Sequence, residues 1–253
     1  MPENTVYLIT GANKGIGLAL ASLLTKRPNT TVIATLRKHT PESSIGFVAA
    51  QNQAHTASKL VTILADDGNE SISSATLPAR LAADHGITRV DVVVANAGGS
   101  SGFKDIAHTD PEDLLYDFTV NAVGPARLFK AVWPILKTAE RPRFVLISSS
   151  VGSIAALEDE NLPSTAYGMS KAAVNWFAKK LSVEFKGEGL SVGIVHPGWV
   201  KTAMGQGIAD AVNFGEPPMG VEDSAKGVIK QIDNLTSETS GKFLTYKGVE
   251  LPW

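Results

Sequence analysis

The chain has 253 residues, 43% of them apolar and 19% charged, and a formal net charge of -2. That is enough chain for a sizeable core, with no general attraction to nucleic acid or to an anionic membrane. Cysteine is absent, which removes disulfides, thiolate catalysis and cysteine metal sites, and no metal ion is expected. The polar start Met1-Pro2-Glu3-Asn4 runs straight into a strand pattern, so no signal peptide is expected. No apolar run approaches the roughly 20 residues of a membrane span. The lack of cysteine fits a reducing compartment, and a cytoplasmic location is expected.

Thr5 to Thr10 is a short apolar run rich in β-formers and reads as a buried strand. Gly11-Ala12-Asn13-Lys14-Gly15-Ile16-Gly17 follows, and then a helix-forming run, Leu18 to Leu24. Strand, glycine turn, helix is the context a dinucleotide loop requires, because glycines admit a pyrophosphate and the helix start offers free N–H groups. Thr31 to Leu36 is a second strand. Where sites that prefer NAD place an acid, this strand is followed by Arg37, Lys38 and His39. A guanidinium there, with Lys14, favours a 2′-phosphate and hence NADPH over NADH. A solvated basic turn has the same composition. Residues 41–57 are expected to be weakly helical, with 45–57 as the narrower reading, and a third strand is expected over 60–65, ending at Asp66. Another helix is expected over 70–85, interrupted near Pro78. A fourth strand, Val90 to Ala95, runs into Asn96-Ala97-Gly98-Gly99.

One long helix is expected over 111–138, with Asp110 or Thr109 as N-cap and Pro111 in its first turn. Asn121 lies in an apolar stretch of it, where a buried amide needs partners. Pro125 has no N–H for the carbonyl four residues back, so the Asn121 carbonyl is freed and a kink is expected. A fifth strand, Arg143 to Ile147, ends in Ser148-Ser149-Ser150, placing hydroxyls where parallel sheets bind ligands. The acidic loop Glu158-Asp159-Glu160 borders a substrate pocket or is simply solvated. Tyr167 and Lys171 stand four apart at the start of an apolar helix, on one face. A nearby cation lowers a phenol's pKa, and such a tyrosine exchanges a proton with a carbonyl oxygen or an alcohol. An incidental pair at a surface helix start has the same spacing. A sixth strand, Leu190 to Val195, leads through His196, read as structural, into Pro197-Gly198-Trp199-Val200-Lys201-Thr202. The stretch 203–218, rich in glycine and proline, reads as a mobile lid. A helix over 222–235 and a strand over 241–246 complete the chain.

The T-G-x-x-x-G-x-G loop (Gly11, Gly15, Gly17) and the Y-x-x-x-K pair (Tyr167, Lys171) resemble those of the short-chain dehydrogenase/reductase superfamily. The N-A-G, V-N-A-V-G-P, I-S-S and P-G-x-V-x-T segments follow in the family's order, so the resemblance covers nearly the whole chain. H-P-G-W-V and the C-terminal G-V-E-L-P-W are similar to a subgroup that includes sniffer-type carbonyl reductases, the bacterial C-factor and norsolorinic acid ketoreductases. The resemblance implies a catalytic set of Asn121, Ser149, Tyr167 and Lys171. Ser148 and Ser150 stay open as alternatives to Ser149, because three consecutive serines blur the register. It also implies cofactor contacts from Gly11, Asn13, Lys14, Gly15, Ile16, Gly17, Arg37, Asp66, Asn96, Ala97 and Gly98. Tyr167, Lys171, Pro197, Gly198, Val200 and Thr202 complete that set. Asp66 would bond the adenine amine, although an N-cap or loop acid is an equal reading.

The expected architecture is one Rossmann-like α/β domain over residues 1–253, a doubly wound sheet of seven parallel strands with helices on both faces. The strand order 3-2-1-4-5-6-7 comes from the resemblance. The expected activity is NADPH-dependent reduction of a ketone or aldehyde, with a bulky aromatic or polyketide ketone implied by the subgroup. The expected partners are that small-molecule substrate and, from the family's habit of pairing through 111–138 and 164–187, a homodimer or homotetramer. The alternative is a dinucleotide-binding signalling or regulatory protein of C-factor type, with little or no turnover.

Overall fold

The computed structural model describes residues 4–66 and 72–253. Seven segments form one sheet: β1 (Thr5–Ile9), β2 (Thr30–Leu36), β3 (Lys59–Leu64), β4 (Val92–Ala95), β5 (Arg143–Ile147), β6 (Ser191–His196) and β7 (Phe243–Thr245). They lie in the order 3-2-1-4-5-6-7, and every neighbouring pair is parallel. The doubly wound architecture and the strand order are therefore those expected.

The helices are α1 (Gly15–Leu24), α2 (Pro41–Asn52), α3 (Leu77–His85), α4 (Pro111–Phe118), α5 (Gly124–Leu136), α6 (Thr165–Glu184), α7 (Ala203–Ala211) and α8 (Val221–Asp233). Successive strand side chains point to opposite faces. Val6 and Leu8 of β1 join Leu81, Val132 and Val174 from α3, α5 and α6 in one core. Tyr7 and Ile9 join Leu20, Phe47 and Val228 from α1, α2 and α8 in the other. Both faces are covered, which is why the strands are continuous apolar runs. Each fully buried leucine stabilises the fold by roughly 1.5–3 kcal/mol.

The sheet winds outward in both directions from β1 and β4, which are neighbours. Such a switch point opens a crevice at the carboxyl ends of the strands, where ligands of open α/β sheets bind.

Three local expectations need correction. The single helix over 111–138 is two helices joined by a wider turn, Thr119–Val123, in which the Gly124 N–H bonds the Thr119 carbonyl five residues back. Pro125 explains the place: it offers no N–H to Asn121, so the ladder re-registers there. The second helix has the wider of the two expected starts, Pro41, because Thr40 and Ser43 make a capping box with Pro41 in the first turn, and it ends at Asn52 rather than at residue 57. Pro78 does not interrupt a helix. It sits in the first turn of α3, where a missing N–H costs nothing, and Gly86 closes that helix with φ +66. The expected start at Glu70 lies outside the described residues.

The 203–218 stretch is helical over Ala203–Ala211. The Thr202 Oγ1 caps α7 by accepting the Gly205 N–H at 3.1 Å. Two glycines of this helix are there for close approach. A methyl on Gly205 would lie 2.1 Å from the Val200 carbonyl oxygen, and one on Gly207 would lie 3.0 Å from the Phe103 ring.

Candidate active site

The glycine turn leaves β1 at Thr10. Gly11 and Gly15 have φ of +63 and +55, a region open mainly to glycine. Gly17 is needed for space, since a methyl there would lie 2.5 Å from both Asn96 Nδ2 and the Gly11 carbonyl oxygen. Asn96 Nδ2 donates to the carbonyls of Thr10 at 2.9 Å and Gly11 at 3.2 Å. The Thr10 hydroxyl accepts the N–H groups of Asn96 and Ala97 at 3.1 and 3.0 Å. These bonds lock the 10–11 and 96–97 segments together at the crevice. Thr10 was missed in the sequence, although the argument that singled out the serines at the end of β5 applies to it equally.

The N-cap of α1, Lys14, makes no side-chain bond to the first turn, and that turn holds no acid. Its backbone N–H groups are left for an anion, and the helix dipole favours one. Lys14 and Arg37 are exposed and border the same cavity, and Asp66 lines it as well.

At the other end, the three serines separate cleanly. Ser148 is buried and donates to Asn175 Oδ1 at 2.5 Å, so it ties β5 to α6. Ser150 starts a short 3₁₀ turn, and its N–H donates to His196 Nδ1 at 3.0 Å. That bond leaves the proton on Nε2, and burial pushes the His196 pKa down to about 4. A neutral, bonded imidazole agrees with a structural role. Ser149 alone of the three faces Tyr167, whose ionised form its hydroxyl favours by hydrogen bonding.

Tyr167 and Lys171 are both buried on one face of α6, with Lys171 Nζ 5.4 Å from the centre of the tyrosine ring. Lys171 Nζ donates to the Ile147 carbonyl at 3.0 Å. Burial lowers the Lys171 pKa to about 8, opposed by the charge of Asp117. The Tyr167 phenol moves up rather than down: burial dominates, the Ser149 bond opposes it, and Asp117 adds to it. The expected lowering by Lys171 is absent, and desolvation sets the direction. The phenol keeps its proton at neutral pH, which is the state a general acid needs.

Asn121 is buried behind this pair. Its Oδ1 accepts the Gly99 N–H at 2.9 Å, and its Nδ2 donates to the Gly99 carbonyl at 2.8 Å and to Ser170 Oγ at 2.9 Å. The side chain therefore clamps the 96–99 loop to α6. Past it, Phe103 meets the Tyr167 ring edge-on at 6.0 Å.

One cavity of about 1940 Å³ runs from the glycine turn to the tyrosine. Of the site residues expected from the sequence, all but Gly17 and Asn121 line it. Those two stand directly behind its wall. Pro197, Gly198 and Val200 form one rim; Gly198 has φ +90, and a methyl there would lie 2.5 Å from Met219 Cε. Asp159 and Glu160 of the acidic loop line the cavity too. A buried proton donor, a bonded hydroxyl and an anion-receptive helix start on one wall suit hydride chemistry on a carbonyl beside a dinucleotide.

The family profile for short chain dehydrogenase matches residues 5–213. A short-chain dehydrogenase of Pyricularia oryzae is 36% identical, with all of both chains covered. The norsolorinic acid ketoreductase of Aspergillus parasiticus is 36% identical, covering 100% of this chain and 92% of its own. Two solved structures share the fold. An NADPH-bound carbonyl reductase from chicken fatty liver has a TM-score of 0.83 and 27% identity over 99% of this chain and 100% of its own. The carbonyl reductase Sniffer of D. melanogaster has a TM-score of 0.81 and 28% identity over the same shares. With its glycine turn, its Ser149–Tyr167–Lys171 cluster and its seven-stranded sheet, this chain belongs to the short-chain dehydrogenase/reductase family of oxidoreductases.

Proposed function

We propose that this protein is an NADPH-dependent carbonyl reductase that converts a ketone or aldehyde into an alcohol. The observation that carries the reading is the buried Ser149–Tyr167–Lys171 cluster on a cavity that also holds the uncapped start of α1. NADPH, when bound, supplies a hydride to the carbonyl carbon.

The chain's own residues do the rest. Backbone groups of Gly11, Asn13, Gly15, Ile16 and Gly17 receive the pyrophosphate, and Lys14 and Arg37 receive the 2′-phosphate that distinguishes NADPH from NADH. Asp66 takes the adenine amine, and Asn96, Ala97 and Gly98 form the floor under the adenosine side. Pro197, Gly198, Val200 and Thr202 border the nicotinamide. The Tyr167 hydroxyl gives its proton to the substrate oxygen, and Ser149 orients that oxygen by donating a hydrogen bond. Lys171 holds the ribose and offsets charge left on the phenolate. The Asn121 carbonyl, deprived of a helix partner by Pro125, anchors a water that returns the proton through Lys171.

A bulky aromatic or polyketide ketone is the substrate we favour. Phe103, Trp199, Met204 and Ile208 give the far end of the cavity an apolar wall, and the ketoreductase relative points the same way. The 203–218 stretch closes over that end as the substrate lid of a single domain spanning 1–253. Pairing into a homodimer or homotetramer would cover Leu115 and Phe118 of α4 and Met169, Trp176 and Val183 of α6, all exposed. A cytoplasmic site of action completes the reading.

The test is NADPH oxidation against aromatic ketones, quinones, aldehydes and steroids, with NADH in parallel. Turnover that favours NADPH by about tenfold or more supports it. Preference for NADH overturns the roles of Lys14 and Arg37. Tight nucleotide binding with no turnover on any carbonyl favours a signalling protein that only binds the dinucleotide.

A further inference from the structure

Asp117 is an acid on a helix that solvent does not reach, with a relative exposure of 0%. Its Oδ1 accepts the Ser101 N–H at 2.7 Å. Its Oδ2 is buried and has no hydrogen-bond partner among the described residues. A buried carboxylate oxygen left in this way is costly unless a charge faces it.

Asn121, one helical turn further on, grips Gly99 through both its N–H and its carbonyl and reaches Ser170, the neighbour of Lys171. A methyl at Gly98 would lie 3.2 Å from Asn121 Oδ1 and 3.8 Å from Lys171 Nζ. Ser101, held by Asp117, is two residues from Phe103, which lies edge-on to the Tyr167 ring. Helix α4, the 98–103 segment and the start of α6 therefore meet at one place, where Asp117, Asn121, Tyr167, Ser170 and Lys171 are buried beneath the partly exposed segment. The charged and titratable groups that act on Asp117 there are Lys171 and Asp113. Tyr167 on α6 feels Asp117 in turn, and Lys104 pairs with Asp113 at 2.7 Å. Lys171 attracts the carboxylate, while Asp113 repels it.

We propose that Asp117 is a positioning residue of the site: its carboxylate pins the 99–103 segment through Ser101 and supplies the negative charge that holds the Lys171 ammonium. The inference rests on the roles given above to Tyr167 and Lys171. It explains why a helix spends a buried acid where an apolar residue would pack. Asp117 opposes the desolvation that lowers Lys171, and it disfavours the phenolate of Tyr167. Loss of its charge therefore moves both groups toward losing their protons at lower pH.

Lysine labelled with ¹³C at Cε, observed by NMR in the protein alone, reads the effect directly, with Lys171→Arg assigning the resonance. In wild type Lys171 titrates near 8. Asp117→Asn keeps an acceptor for Ser101 and removes the charge, and it lowers that midpoint by about one unit. An unchanged midpoint overturns the proposal. In carbonyl reduction the same variant lowers kcat about tenfold and moves the alkaline limb in the same direction, with KM for the carbonyl within about twofold. Asp117→Ala releases Ser101 as well and adds a rise in KM. Lower activity that merely tracks a smaller folded fraction, with the limb in place, contradicts the proposal. If Asp117→Asn does not fold, Asp117→Glu carries the test. It retains the charge, so Lys171 stays within about 0.3 unit of wild type, and a full-unit fall overturns the idea. Should the NMR midpoint fall while wild type reduces no carbonyl, the link between Asp117 and Lys171 stands and the reductase reading fails.

Discussion

The two ends of the cavity are built on opposite principles. Around the glycine turn, the cations Lys14 and Arg37 are exposed, and Thr10 and Asn96 staple backbone carbonyls and N–H groups that are themselves only partly buried. Around Tyr167 the charges themselves are buried: Asp117, Lys171 and the phenol share a patch with two asparagine-held segments. Exposed cations can receive a phosphate without a desolvation penalty of their own, so the first end suits affinity. Buried groups shift their proton affinities, so the second end suits chemistry. Changes at the first end should alter which nucleotide binds. Changes at the second should alter turnover and its pH dependence.

Lys171→Met should break the second end most severely, with kcat down about a thousandfold. Its stability should move the other way. Burial takes Lys171 from its ordinary 10.5 to about 8, so the unfolded chain holds the proton more firmly than the folded one. The cost to folding is fully present below about 8 and disappears above 10.5, and its full size is about 3 kcal/mol. Methionine leaves the Ile147 carbonyl without a donor, which returns about 1–2 kcal/mol. Thermal melts at pH 7 should therefore show a Tm higher by a few degrees, and the gain should shrink as pH rises past 8. A variant that melts lower at pH 7 would contradict the burial argument.

Next in size is the contrast between neighbouring serines. Ser149→Ala should cost about a hundredfold in kcat by removing a donor to the substrate oxygen. Ser148→Ala should leave kcat within about threefold and cost about 1–2 kcal/mol of stability through the lost bond to Asn175. Steady-state rates beside denaturant melts separate the two, and the reverse pattern would put the register off by one. At the first end, Arg37→Ala should raise KM for NADPH about tenfold and leave NADH unaffected. Equal losses with both nucleotides would show that Arg37 does not read the 2′-phosphate. The smallest expected effect is in wild type itself. Activity should decline as pH rises through about 8, where the Lys171 ammonium loses its proton. A plot flat to pH 10 would detach that group from turnover.

The strands were legible because both sheet faces are covered, so runs such as Val92–Ala95 are apolar without alternation. The glycine turn was legible because its chemistry is local. The serine register was not, because it depends on Asn175 and His196, 27 and 46 residues from their serine partners. Pro125 announced a freed carbonyl at Asn121, but not that the helix would widen rather than kink. The reason for glycine at 205 and 207 was not legible, since nothing local shows Val200 and Phe103 pressing on them. Asp117 left no signal at all: an acid on an amphipathic helix reads as solvated until the fold buries it.

The most direct test of the account is Tyr167→Phe, with carbonyl reduction and nucleotide affinity measured on the same preparation. The phenyl ring fills the same space and keeps the contact with Phe103, so what is lost is the phenol O–H and its bond to Ser149. Turnover should be lower by about a thousandfold and nucleotide affinity within about threefold of wild type. Near-wild-type turnover in that variant would contradict it.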